Sequence, residues 1–177
     1  MGDVNKKYLI DTDENKKFLE DVRNGLLNFG HAFPSPGGGS YYLGDDGTPW
    51  KDRNRETWIT SRMAHVYSIG TFLGHEGSAE LADAALKGLR GELHDDVNGG
   101  WYAGLTANNE IVPTKQCYAH AFVILAASSG VLAGRPGAQE LLDEALKTYD
   151  LRFWNEEEGL SCDTWNTEFT KLDSYRG

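Results

Sequence analysis

Aromatic, cationic and imidazole side chains recur along a stretch of the sequence that has helical periodicity. Trp58 and Arg62 are four residues apart, and His65 and Ile69 continue the same stripe. Residues at positions i and i+4 lie on one face of a helix. Because the stripe mixes polar with apolar side chains, it predicts a helix that faces a cavity and not a dry core. Aromatic faces can stack on the C–H face of a sugar ring, although they fill cores as readily.

A second stretch carries Tyr118 and His120 among residues that are nearly all apolar between positions 119 and 127. This composition predicts a helix that is buried on most sides. His65 and His120 are the candidate bases in these two stretches. A histidine on a mainly apolar helix is more often a hydrogen-bonded core residue, so neither is predicted to be the base.

The sequence has no pattern for a nucleotide or a metal. The glycines at 37–39 have no following Lys-Ser or Lys-Thr, and no histidine is four residues from another. Cys117 and Cys162 are too few for a disulfide framework, and we expect both to be reduced and buried. The sequence therefore predicts a reaction that needs no metal and no cofactor.

The charge of the chain limits its partners. There are 17 Lys plus Arg and 27 Asp plus Glu, a net charge of -10, so nucleic acid and anionic membranes would be repelled. A small neutral ligand such as a sugar is indifferent to this field. The first seven residues are polar and no apolar run has the length of a membrane span. We expect a cytoplasmic protein with no nucleic-acid or membrane partner.

Periodicity and breaker residues predict five helices connected by loops with short extended pieces. Ser78 is the expected N-cap of the third helix, and Pro136 the expected first residue of the fifth. The helices are predicted at 17–29, 57–73, 78–93, 115–128 and 136–153, and the extended pieces at 41–43 and 159–165.

An internal repeat relates two of these helices. At an offset of 60, residues 81, 83 and 85–87 are identical to residues 141, 143 and 145–147, and Gly99 falls on Gly159. Repeated helical hairpins build either a solenoid or a closed ring around an axial cavity. The long loops between the helices favour the ring.

Three segments together resemble the N-acylglucosamine 2-epimerase family, which includes mannose isomerases and cellobiose 2-epimerases. They are WITSRMAH at 58–65, GGWY at 99–102 and KQCYAHAFV at 115–123. The terminal SYRG at 174–177 resembles the opening of the family motif R-G-x-N-x-N-M-H. The resemblance implies an all-α fold, the (α/α)6 toroid of six helical hairpins, with short β pieces in the loops. Residues 1–177 would form one incomplete domain, the N-terminal half, with about three hairpins.

The resemblance also implies a mechanism. A histidine base removes the C2 proton of an opened sugar, and the reaction passes through a cis-enediolate. Return of the proton to C1 gives aldose–ketose isomerisation, and return to C2 gives 2-epimerisation. Arg62 is implied as the catalytic group that stabilises the enediolate, and a guanidinium suits this role because it stays charged. Trp58, Tyr118, His120 and Arg176 are the predicted substrate-binding residues.

The acid–base histidines of the family are implied to lie in sequence beyond Gly177. We therefore expect the 177-residue polypeptide to be inactive alone. Half a ring would also leave an apolar edge without its neighbours, which predicts self-association or another covering chain.

Two other classes of protein remain open. A glycoside hydrolase or polysaccharide lyase on the same kind of ring would need carboxylates in its cleft, and Asp95, Asp96, Asp163 and Glu168 lie in loops that could supply them. Solvated loops explain these acids equally well. A non-catalytic helical-repeat scaffold would bind a protein in place of a sugar.

Overall fold

The computed structural model describes residues 5–173 and 175, which form five α-helices joined by long loops. None of these helices is both long and apolar enough to cross a membrane. The described part of the chain thus contains two helical hairpins and the first helix of a third, where about three hairpins were expected. The helices are α1 (Asp13–Phe29), α2 (Thr57–Phe72), α3 (Ser78–Leu89), α4 (Cys117–Leu132) and α5 (Ala138–Arg152).

The predicted helices are all present, but several begin at other residues. The first begins earlier than residue 17, because Thr12 Oγ1 accepts a hydrogen bond of 3.1 Å from the Asn15 backbone N–H and caps α1. The prediction that Ser78 caps the third helix is wrong, since Gly77 holds that position with φ of 77°. Pro136 likewise lies outside α5, which follows Gly137 with φ of 71°. Glycine adopts this left-handed conformation without steric cost.

Short strands lie in the loops: β1 (Tyr42–Leu43), β2 (Pro49–Trp50), β3 (Arg55–Glu56), β4 (Gly104–Leu105), β5 (Ile111–Val112), β6 (Thr114–Gln116), β7 (Trp154–Asn155), β8 (Leu160–Ser161) and β9 (Thr164–Asn166). They form four small antiparallel sheets, in which β1 pairs with β2, β6 with β9 and β7 with β8, while β4 lies between β3 and β5 and pairs with both. Ala103 connects the beginnings of α2 and α4 through two backbone hydrogen bonds. The Thr57 N–H donates to the Ala103 carbonyl, and the Ala103 N–H donates to the Thr114 carbonyl.

The helices are arranged as part of a toroid. Helix α2 packs against both α3 and α4, and α4 packs against α5. Thus α2 and α4 are neighbouring inner helices, while α1, α3 and α5 are outer helices. The core lies between the two layers and includes Ala64, Tyr67, Leu86, Leu89 and Val123.

The repeat at an offset of 60 extends well beyond the short match in the sequence. Helix α4 begins 60 residues after α2 and ends 60 residues after it. The first backbone N–H of each helix donates to an equivalent carbonyl, Thr57 to Ala103 and Cys117 to Asp163. The structure therefore confirms the repeat, and equivalent positions of the two inner helices lie side by side.

Candidate functional site

Four side chains from the first turns of the two inner helices form one cluster. Trp58 and Arg62 come from α2, and Tyr118 and Phe122 come from the equivalent positions of α4. The ring centroids of Trp58 and Tyr118 are 6.0 Å apart, and those of Tyr118 and Phe122 are 4.9 Å apart. The guanidinium carbon of Arg62 lies 5.7 Å from the rings of both Trp58 and Phe122. The structure thus brings three of the predicted site residues together and adds Phe122.

The cluster remains open to solvent. Tyr118 is 53% exposed and Arg62 is exposed, while the rings of Trp58 and Phe122 are half-buried. Among the described residues, no carboxylate lies within ion-pair distance of Arg62, which instead lies beside two aromatic rings. A guanidinium held beside aromatic rings keeps its donors available for oxygen atoms of a ligand.

A cleft of about 210 Å³ adjoins Trp58, on the side from which α2 and α4 begin. Glu56 and Gln116 are equivalent in the repeat and hold the N-cap positions of α2 and α4, yet neither side chain caps its helix. Sequence reasoning missed both residues, although the repeat places them side by side once its register is extended upstream. The cleft is lined by Asn54, Glu56, Trp58, Ala103, Val112 and Gln116.

His120 lies outside the cluster, in correction of the prediction that it binds substrate. Its side chain is fully buried. The ring Nδ1 lies 2.8 Å from the Gln116 carbonyl, and Nε2 accepts a hydrogen bond of 3.1 Å from the Trp101 N–H. Burial lowers the pKa of His120 to about 4. Both ring nitrogens are used inside the protein, so His120 holds the 101 loop on α4 and has no atom free for a ligand.

His65 joins the two inner helices, because its Nδ1 lies 2.6 Å from Ser129 Oγ, and burial lowers its pKa. Arg176 lies outside the described residues. Cys162 is buried and Cys117 half-buried, and both are free thiols.

The carboxylates considered for a hydrolase are each engaged locally. Asp95 is fully buried and its Oδ2 lies 2.7 Å from Lys115 Nζ. Burial by itself would raise the pKa of Asp95, but hydrogen bonds from Lys115, from Asn98 and from backbone N–H groups hold it below its ordinary value. Asp96 contacts His94 and is exposed. Asp95 is therefore a structural group that no ligand reaches.

Comparisons with known proteins agree with this architecture. The family model of N-acylglucosamine 2-epimerase (GlcNAc 2-epimerase) matches residues 38–177. The chain belongs to the N-acylglucosamine 2-epimerase family. It is 37% identical over 163 residues to a D-mannose isomerase of Thermobifida fusca, an alignment that covers 92% of this chain and 40% of that protein. This member of the family thus spans well under half the length of the curated relative that it matches.

Several solved structures share the fold of this family member. A crystal structure of D-mannose isomerase superimposes with a TM-score of 0.81 and 24% identity, and it covers 92% of this chain and 43% of that one. Cellobiose 2-epimerase from Bacillus thermoamylovorans superimposes with a TM-score of 0.77 and 22% identity, and the alignment covers 89% of this chain and 43% of that one. A GH76 α-mannanase from Bacteroides thetaiotaomicron also shares the fold, at 0.69 and 15% identity. Because this fold occurs in an isomerase, in an epimerase and in a mannanase, the fold alone does not decide between isomerase or epimerase chemistry and glycoside hydrolysis.

Proposed function

We propose that this chain forms one wall of the sugar site of an aldose–ketose isomerase or 2-epimerase, for a sugar of the mannose, glucose, fructose or N-acylglucosamine type. The observation that carries the proposal is the guanidinium of Arg62, which has no carboxylate partner among the described residues and lies beside the rings of both Trp58 and Phe122. A hydrolase would need a pair of reactive carboxylates at this place, whereas the adjoining cleft is lined by one, that of Glu56. The cluster presents a cation and aromatic faces.

The proposed reaction begins when a base takes the C2 proton of the open-chain sugar. The C–H electron pair forms the C1–C2 double bond, and the carbonyl pair moves to O1, so negative charge develops on the oxygens of a cis-enediolate. The planar guanidinium of Arg62 presents several donors and stays charged, which suits it to bind O1 and O2 as that charge appears. Trp58 and Tyr118 would hold the carbon skeleton by contact with its C–H groups.

The proton-transfer step would need histidines that the described residues do not supply at the cluster. His120 is buried with both ring nitrogens occupied, and the His65 Nδ1 is engaged by Ser129. We therefore propose that the 177-residue chain binds sugar without turning it over. The cytoplasmic location and the independence from cofactors remain predictions from the sequence.

We further propose that the chain self-associates through an apolar groove between α1 and α2. This groove has a volume of about 400 Å³. The side chains of Leu26 and Ile69 on its walls are 67% and 43% exposed, so water contacts a continuous apolar surface. The apolar residues along the groove are Leu19, Val22, Leu26, Leu27, Val66 and Ile69.

The sugar proposal is tested by saturation-transfer NMR of the 177-residue chain with D-mannose and D-fructose. We expect binding by the parent chain and its loss in Arg62→Ala and Trp58→Ala, without interconversion of the two sugars in any sample. Arg90→Ala is the matched control, since Arg90 is an exposed arginine at the end of the outer helix α3. Unchanged binding by Arg62→Ala, or interconversion by the parent chain, would contradict the proposal.

A further inference from the structure

The cleft beside Trp58 contains polar groups whose hydrogen-bonding capacity is not used inside the protein. Within the described part of the chain, the side-chain amides of Asn54 and Gln116 make no hydrogen bond, and the Glu56 carboxylate bonds only through Oε2. These three side chains come from two separate chain segments and meet on one cleft. Convergence of unused donors and acceptors beside an aromatic ring is typical of a site for a polyhydroxylated ligand.

Tyr42 fixes the position of the Glu56 carboxylate. Its hydroxyl donates a hydrogen bond of 2.7 Å to Glu56 Oε2. Burial, together with the hydrogen bond to Glu56 and the charge of Glu56, raises the pKa of Tyr42 to about 12, so the phenol keeps its proton and remains the donor. One carboxylate oxygen is thereby held by the protein, and the other is left to accept from a ligand.

Trp58 belongs both to this cleft and to the cluster around Arg62. None of the other cleft-lining residues is part of the cluster, and Arg62 does not line the cleft. The Arg62 guanidinium lies 5.7 Å from the Trp58 ring centroid. A sugar chain that lies along Trp58 with C1 and C2 at Arg62 would have its remote carbons at the cleft that Glu56 and Gln116 line.

The volume of the cleft agrees with this placement. At about 210 Å³ it is below the range of roughly 300–1,000 Å³ that holds drug-sized ligands. It has room for one end of a sugar and the water around it. The apolar lining residues Ala103 and Val112 would contact the carbon skeleton, while the polar residues contact hydroxyl groups.

We propose that Glu56, Gln116 and Asn54 form a subsite that binds the hydroxyl groups on C4 to C6 of the sugar, and that Glu56 and Gln116 select hexoses over pentoses. This inference rests on the proposed function, because it assumes that C1 and C2 lie at Arg62. Glu56 accepts a hydrogen bond from the C6 hydroxyl, and the Gln116 amide forms a hydrogen bond with a neighbouring hydroxyl of the sugar. A hydrogen bond to a charged group contributes about 1.5–3 kcal/mol, which corresponds to about a 10- to 100-fold difference in affinity.

The experiment compares D-mannose with D-lyxose, which is mannose without its C6 hydroxymethyl group, by NMR titration of the 177-residue chain. We expect the parent chain to bind mannose at least about tenfold more tightly than lyxose. In the Glu56→Ala, Gln116→Ala double variant both sugars should bind alike, and no more tightly than lyxose binds to the parent chain. Tyr42→Phe should lose part of the preference, because Glu56 is no longer held.

Glu110→Ala is the matched control, since Glu110 is an exposed carboxylate beside β5 and does not line the cleft. It should keep the full preference for mannose. Equal affinities of the parent chain for the two sugars, or an unchanged preference in the double variant, would overturn the subsite while leaving binding through Arg62 intact. Loss of all binding in Arg62→Ala, measured separately, supports the sugar site itself. The two proposals can therefore fail independently.

Discussion

Lys115 Nζ lies 2.7 Å from Asp95 Oδ2, and both side chains are fully buried. The preceding repeat has a cation at the equivalent place: Arg55 donates to Ser35 Oγ at 2.8 Å and to Glu92 at 2.7 Å. Each cation precedes an inner helix by two residues. The beginnings of α2 and α4, which carry the candidate site, are thus each held by a buried cation to the loop that precedes the helix.

Replacement of Asp95 by Ala should destabilise the fold strongly. It leaves the Lys115 ammonium buried without its counterion, a change that costs about 3–5 kcal/mol in other buried pairs. Asp96→Ala removes a neighbouring exposed carboxylate and should cost less than about 1 kcal/mol. Urea unfolding of the two variants measures both values. Equal losses would show that the buried pair does not hold the loop, and a double Asp95→Leu, Lys115→Met variant should recover part of the loss.

The buried ion pair of Asp95 and Lys115 affects how the glycoside hydrolase alternative can be tested. Loss of activity on replacing Asp95 does not identify a catalytic acid, since the same change removes a structural ion pair. Asp163→Asn is the better substitution, because Asp163 Oδ2 accepts only a local bond of 2.9 Å from Thr164 Oγ1.

Protonation of His120 should couple stability to pH. Burial lowers its folded-state pKa to about 4, whereas an unfolded histidine titrates near 6.5. The stability that neutral His120 contributes is therefore complete above about pH 6.5 and is lost as the pH falls toward 4. Linkage gives a loss of about 2–3 kcal/mol at pH 4.5 relative to pH 7. Urea midpoints measured across this range should fall steeply in the parent chain.

The His120→Asn variant serves as the control, because an amide offers a donor and an acceptor and does not titrate. Its stability should be lower at pH 7 and should depend less on pH between 6.5 and 4. Burial also lowers the pKa of His65. The difference between the two proteins in the slope of stability against pH therefore reports the contribution of His120 alone. If the two proteins show the same slope, His120 is not held neutral by the fold.

The sequence predicted the elements of the fold well because their signals are local. Helical periodicity gave all five helices, and the offset of 60 relating 81–87 to 141–147 gave the repeat. Helix ends were less accurate, since Gly77 and Gly137 cap α3 and α5 through a backbone conformation and not through a side chain. The start of α1 was also missed, although the Thr12 hydroxyl that caps it is a signal that a sequence can show.

The candidate site could be predicted only in part. Trp58 and Arg62 share one helix face, so their spacing was informative. Phe122 was missed because its role depends on which face of α4 meets α2, and a helix that is apolar on nearly all sides does not encode this. His120 was misplaced for the same reason: two residues from Tyr118, it lies on the buried face of α4.

Self-association should depend on the groove between α1 and α2. Leu26 is 67% exposed there, so Leu26→Glu places a charge on the apolar surface without disturbing the core. We expect sedimentation equilibrium to show a concentration-dependent dimer for the parent chain and at least about a tenfold weaker dimer for the variant. Val97→Glu is the matched control, since Val97 is 88% exposed in a loop away from the groove. A parent chain that is monomeric throughout, or equal effects of both variants, would contradict this.

Gly88→Ala should separate the outer helix α3 from the loop that crosses it. A Cβ at Gly88 would lie 2.1 Å from the Gly39 backbone nitrogen, and the atoms that must give way are main chain. The neighbouring Gly38 carbonyl accepts a hydrogen bond of 3.1 Å from Arg55, so displacement of the loop also disturbs the residue that precedes α2. We expect a loss of at least about 2 kcal/mol in unfolding free energy.

Gly25→Ala is the control, because nothing lies within 4 Å of its Cβ on the exposed side of α1. It should stabilise the chain by about 0.5–1 kcal/mol. A Gly88→Ala protein as stable as the parent would mean that this loop does not fasten α2.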